Sequence, residues 1–188
     1  MSVGRSLAGI DTPARIAATG TLGAAAEAGI LWHFGITAPL GAYLFFGAVA
    51  AVASATDLAS RRVPNRIVLA AVAVGGVLLA LASGLDAAWW PLARAGIAMV
   101  VLAGLHLALG LAFPSGMGMG DVKWAAVAGL YLGWLGWPAI ATGTLLAFSV
   151  AALFVLALRL ATSRRGRLVV PMAPFMSAGA LVAILVAR

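Results

Sequence analysis

The 188 residues contain no cysteine. That absence excludes a disulfide framework, a thiol nucleophile and a zinc site built on cysteine. Charge is scarce too: Asp, Glu, Lys and Arg together make up 9% of the chain, and acidic residues number only five. A soluble fold of this length covers its surface with charge, so water is the wrong solvent for this one. What is present in excess is apolar: 64% of residues are hydrophobic, and the mean hydropathy is +1.11. Long stretches are apolar on every helical face, as helices that meet lipid must be. Lipid is therefore the expected environment and partner.

The net charge of +7 does not point to nucleic acid, because the cations form no basic face with polar or aromatic neighbours. Arg61, Arg62 and Arg66 fall in one short connector and Arg164, Arg165 and Arg167 in another, each between apolar runs. This is the positive-inside pattern, reinforced by anionic headgroups. Six runs approach the length needed to cross a core of roughly 30 Å: 39–56, 66–85, 92–113, 122–137, 139–160 and 168–187. Gly136, Trp137 and Pro138 mark a tight turn after the fourth, and Pro171 and Pro174 predict that the last helix starts late or bends. The basic connectors follow the first and fifth runs, and Lys123 follows the third; these define the cytoplasmic side. Trp89, Trp90, Trp134 and Trp137 lie on the opposite side, as an interfacial aromatic belt does.

Residues 16–36 have the length of a span but carry Glu27 near the middle. An acid there costs roughly 3 kcal/mol of insertion free energy, and each large apolar residue returns roughly 0.5, so hydropathy leaves the crossing open. The expected fold is all-α, a polytopic transmembrane bundle of six core helices, with a seventh if residues 16–36 cross. One membrane-embedded domain is expected over 38–188, with 1–37 as an N-terminal extension.

Two of the five acids fall at helix ends on the predicted cytoplasmic side. Asp57 closes the first run, before Leu58-Ala59-Ser60-Arg61-Arg62-Val63-Pro64-Asn65. Asp121 follows Gly116-Met117-Gly118-Met119-Gly120 and opens the helix Val122-Lys123-Trp124. An aspartic peptidase needs two such carboxylates sharing one proton: one activates water, the other protonates or hydrogen-bonds the scissile carbonyl. Like charges at close range do not both ionise comfortably, so such a pair titrates as a unit. Asp121 at a helix N-terminus and Asp57 near a C-terminus favour charge on Asp121 over Asp57. Gly118 and Gly120 would let a substrate backbone come close.

Simpler roles exist for each residue. Asp121 can cap its helix, and Asp57 can be solvated at the interface. Lys123 points away from Asp121 along the helix and is expected to snorkel to headgroups. Pro64-Asn65 reads as a turn with Asn65 capping the next helix. His33, His106 and Glu27 lack metal-ligand spacing and are expected to make hydrogen bonds within or between helices. Gly129, Gly133 and Gly136 form a small-residue packing face.

Met117-Gly118-Met119-Gly120-Asp121-Val122-Lys123, followed by Ala125, Ala126, Gly129, Leu132 and Gly133, closely resembles the GxGD signature of type IV prepilin peptidases. Thr56-Asp57-Leu58 with Arg61-Arg62-Val63-Pro64-Asn65 resembles the first aspartate segment of the same family, especially its short forms that serve Flp-type pili. The resemblance covers roughly residues 38–160. It implies a bacterial inner-membrane aspartic endopeptidase that cleaves the short basic leader of a prepilin or pseudopilin at the cytoplasmic face. Asp57 and Asp121 match the catalytic pair; Gly118, Gly120, Lys123, Pro64 and Asn65 match supporting motif positions. It implies no cofactor and no metal for this chain, because the zinc-binding domain of longer members, which also methylate the new N-terminus, has no counterpart here. Two other classes compete. A proton-coupled transporter needs acids near the midplane, and a non-enzymatic assembly protein of a pilus or secretion system needs neither aspartate.

Overall fold

The computed structural model describes residues 13–113, 118–161 and 170–187. Among them are seven helices and no strand: α1 (Pro13–Phe34), α2 (Leu40–Ser60), α3 (Asn65–Leu85), α4 (Trp89–Ala112), α5 (Met119–Leu135), α6 (Trp137–Ala161) and α7 (Ala173–Val186). The chain is a polytopic helical membrane bundle. The arginines Arg164, Arg165 and Arg167 and the motif residues Gly116 and Met117 lie outside the described residues.

The distribution of side-chain size identifies the solvent. Many buried positions are small: Ala42, Ala50 and Ala53 on α2, Ala71 and Ala82 on α3, Ala95 and Ala98 on α4. Many large aliphatics point outward, among them Leu69, Val77, Leu81, Val100, Leu111, Leu145, Leu153 and Leu160. In water this arrangement would expose most of what the hydrophobic effect buries. In lipid, whose tails are as apolar as leucine, association comes from close packing, and small residues let backbones approach.

Four helices, α2, α3, α4 and α6, are long and apolar enough to cross a membrane. The other two expected runs are shorter than the roughly 20 residues a full crossing needs, α5 with 17 and α7 with 14. Their burial accounts for the difference. Along α5, Val127 to Trp134 are buried without a break. The helix is walled by protein on all sides and meets little lipid along that stretch. The last helix begins at Ala173 with Pro174 in its first turn, as its prolines predict. Residues 16–36 lie mostly within α1, which runs antiparallel to α2: Gly23 lies by Ala51, Glu27 by Gly47, and Phe34 stacks on Tyr43 with ring centroids 4.4 Å apart. The expected hydrogen bond of Glu27 is not made at Oε1, which is buried with no partner among the described residues.

Packing is most extensive between α4 and α5, and backbone meets backbone there. A Cβ at Gly129 would come within 2.6 Å of the Ala98 carbonyl oxygen, and one at Gly133 within 2.9 Å of the Ala95 Cα. Real Cβ atoms do not approach so closely, so these two glycines bring backbone onto backbone. Gly136 departs from the expected packing face: with φ 144° it makes the turn between α5 and α6 instead. Arg94 completes this end. Its Nε and a terminal guanidinium nitrogen donate to the carbonyls of Gly133 and Trp134 at 2.7 and 2.5 Å, satisfying acceptors that the last turn of α5 leaves free.

Candidate active site

Asp57 lies in the last turn of α2, where its own carbonyl accepts the N–H of Arg61 at 2.8 Å and Arg61 turns left-handed (φ 54°) to end the helix. Its side chain is only 6% exposed. The carboxylate oxygen Oδ2 accepts the backbone N–H of Ala173 at 3.0 Å, across 116 residues of sequence. Ala173 is the first residue of α7, so this carboxylate meets the N-terminal, positive end of a helix. The dipole argument that separated the two aspartates therefore loses its force, because the α2 C-terminus is opposed by the α7 N-terminus.

Asp121 is the third residue of α5 and half-buried. Its Oδ2 accepts the Gly118 N–H at 2.9 Å, while its own N–H donates to the Gly118 carbonyl at 3.0 Å. The capping role thus accompanies whatever else Asp121 does. Each carboxylate uses Oδ2 for a backbone amide, and among the described residues no protein donor occupies either Oδ1.

The α2 and α5 backbones do not touch closely; aromatic rings fill the space between them. Phe46 stacks on Trp124 and tilts against Tyr131, with centroids 6.4 and 4.6 Å apart. The Tyr43 hydroxyl donates to the Tyr131 carbonyl at 2.9 Å, and the Tyr131 hydroxyl donates to the Ala71 carbonyl on α3 at 3.0 Å. Trp124 Nε1 donates to Ser177 Oγ on α7 at 3.1 Å. Each buried polar tip has a partner, so the wedge is rigid. Counting along the two antiparallel helices from Tyr43 opposite Tyr131, Asp57 and Asp121 come within about one helical turn of the same height. The carboxylates are close enough to act on each other electrostatically.

The supporting residues are rearranged relative to expectation. Asn65 does not cap α3: Pro64 occupies the N-cap position in extended conformation with no side-chain cap bond. Asn65 Oδ1 instead accepts Lys123 Nζ at 2.8 Å, so Lys123 reaches across to α3 rather than to headgroups. The two motifs are thereby tied to each other. Gly118 is exposed and extended (φ −92°, ψ 159°), a conformation open to any residue. A Cβ at Gly118 would lie 3.7 Å from Asp121 Oδ2, and one at Gly120 3.9 Å from the Val63 nitrogen, both ordinary contacts. The fold does not need glycine at either position. Arg61, Arg62, Pro64 and Arg66 are exposed at the same end as the aspartates.

Sequence reasoning missed the Ala173 amide, the Tyr43, Phe46, Trp124 and Tyr131 wedge, and Arg94. Only the first had a signal, the Pro171 and Pro174 pair that marks the late start of α7. Among the described residues no group of three His, Asp or Glu side chains is placed to hold a metal ion.

No curated protein and no solved structure matches the chain. The model of the type IV leader peptidase family matches residues 44–158, which include both aspartates and more than half of the sequence. With that match, two acid-bearing segments at one end of an apolar bundle have a family context: the chain belongs to the type IV leader peptidase family.

Proposed function

We propose that the chain is an aspartic endopeptidase of the GxGD type. Its substrate is a type IV prepilin or pseudopilin, from which it removes the short basic leader at the cytoplasmic face of the bacterial inner membrane. Residues 38–188 are its catalytic domain, and Asp57 and Asp121 its catalytic residues. The observation that carries this reading is the pair itself: two carboxylates from separate motifs, at one end of the bundle, each anchored through Oδ2 and within electrostatic reach of the other.

Chemically, one ionised carboxylate takes a proton from water as the oxygen attacks the scissile carbonyl, while its protonated partner donates to the carbonyl oxygen. Collapse of the tetrahedral intermediate re-forms the carbonyl and breaks the C–N bond: a hydroxyl of the intermediate returns its proton to the second carboxylate, and the proton held by the first goes to the leaving amine. Anchoring each Oδ2 leaves Oδ1 for the water and the substrate. Gly118 and Gly120, which the fold does not require, leave room for the extended peptide. Lys123 and Asn65 hold the two motifs in register. The exposed arginines anchor this end to anionic headgroups, and the same lipid, with the aspartates, holds the basic leader.

Co-expression with a candidate prepilin, scored by a gel shift, tests the reading. Asp57→Asn and Asp121→Asn keep side-chain shape but remove the proton-accepting group; each is expected to abolish cleavage while the protein still inserts. Substantial cleavage by either variant would sink the assignment. The chain is further proposed to leave the new N-terminus unmethylated, so mass spectrometry of pilin processed in a methyltransferase-free host should find no added methyl group.

A further inference from the structure

His106 on α4 is 1% exposed. Its Nδ1 lies 2.9 Å from the Leu102 carbonyl oxygen one turn earlier. A carbonyl only accepts, so Nδ1 carries the hydrogen and the neutral ring presents a lone pair at Nε2. Nε2 is buried with no hydrogen-bond partner among the described residues. Phe148 on α6 stacks over the ring at 5.6 Å and 26°, fixing its plane. Between these helices, floored by Ala128 and Leu132 of α5 and bordered by Thr144 of α6, lies a cavity of about 10 Å³ into which the imidazole is set.

The level of His106 on its helix follows from the α4–α5 packing. Ala98 lies against Gly129. His106 is eight residues beyond Ala98 and Asp121 eight residues before Gly129, so on antiparallel helices the two stand level. His106 and Asp121 are also within electrostatic reach of each other.

We propose that His106 and Thr144 bind one water molecule in this cavity, the water donating to His106 Nε2 and accepting from the Thr144 hydroxyl. The volume is that of a single water, and apolar walls alone would keep such a space dry. A buried acceptor aimed into it, with a hydroxyl on the facing helix, supplies the polar partners a water needs. The site keeps the imidazole neutral and hydrated, with its α5 floor about two to three turns further along that helix than Asp121. It rests on the packing of α4, α5 and α6 and stands or falls independently of the peptidase reading.

The chain has two histidines, and His33 is exposed. Full-length protein labelled with ¹⁵N-histidine in lipid bilayers therefore gives one buried signal and one solvent-exposed reference in solid-state NMR. The expected result is the Nδ1–H tautomer for His106, with magnetisation transfer from water protons to its ring. In Thr144→Val, which keeps side-chain shape, the transfer should fall severalfold while the tautomer persists. An Nε2–H tautomer, transfer from lipid acyl protons in place of water, or undiminished transfer in Thr144→Val would each overturn the proposal.

Discussion

The two ends of α5 are built on opposite plans. At the Trp134 end, backbone presses on backbone at Gly129 and Gly133, Arg94 caps the last carbonyls, and Gly136 turns the chain. At the Asp121 end the helix is held by a local cap and by two side-chain bonds, Lys123 to Asn65 and Trp124 to Ser177. The closed end tolerates no added atom. The open end has ordinary space around its glycines and the chemistry-bearing residue. A helix fixed firmly at one end can present a carboxylate at the other without relying on the loop that precedes it.

Substitutions at the two ends should therefore separate chemistry from stability. The largest effect belongs to the aspartates. Each single asparagine variant should lose roughly 10²- to 10⁴-fold in cleavage rate, the range of general acid–base catalysis. Because the pair acts as a unit, the double variant should be little worse than either single. Losses that multiply instead would mean that the two act separately. Gly120→Ala is expected to leave the thermal transition unchanged yet lower cleavage by about 10- to 100-fold, through displacement of the substrate backbone. A drop in thermal stability with normal cleavage would reverse the roles assigned to the two ends.

At the closed end the order inverts. Gly129→Val should cost about 1–3 kcal/mol or more of stability by overpacking the α4 contact, measurable by denaturation in detergent. Arg94→Met removes two charge-assisted hydrogen bonds and should cost about 1–3 kcal/mol. In both, cleavage per folded molecule should stay within a few-fold of the parent. The smallest effect is expected for Lys123→Met, which breaks one exposed hydrogen bond and should cost less than about 1 kcal/mol. Its trace in cleavage should match that of Asn65→Ala, and the double variant should add nothing further.

Much of the bundle was legible in the sequence because lipid imposes a length and a polarity on each span. The boundaries of α2, α3, α4 and α6 follow from apolar runs and their turn residues. The pairing of Gly129 and Gly133 with a neighbouring helix was legible for the same reason, since small residues mark close approach. Lys123 and Asn65 were misread because helical periodicity gives the direction in which a side chain leaves its own helix, not what stands across from it. The Ala173 amide had only an indirect signature, the prolines that mark the late start of α7: a backbone N–H carries no residue identity, and its partner is 116 positions away. His106 was half legible, since its bond to the Leu102 carbonyl is a helix-internal contact while the facing cavity arises only from packing.

The bond between Asp57 and Ala173 also has a meaning in time. Ribosomes deliver α2 well before α7, and a helix pair so far apart in sequence packs only after the intervening spans have entered the bilayer. Until then the Asp57 carboxylate lacks the amide that orients it. The finished geometry around Asp57 is consequently a late product of biogenesis, and a chain stalled before its C-terminal helix carries one oriented aspartate rather than two.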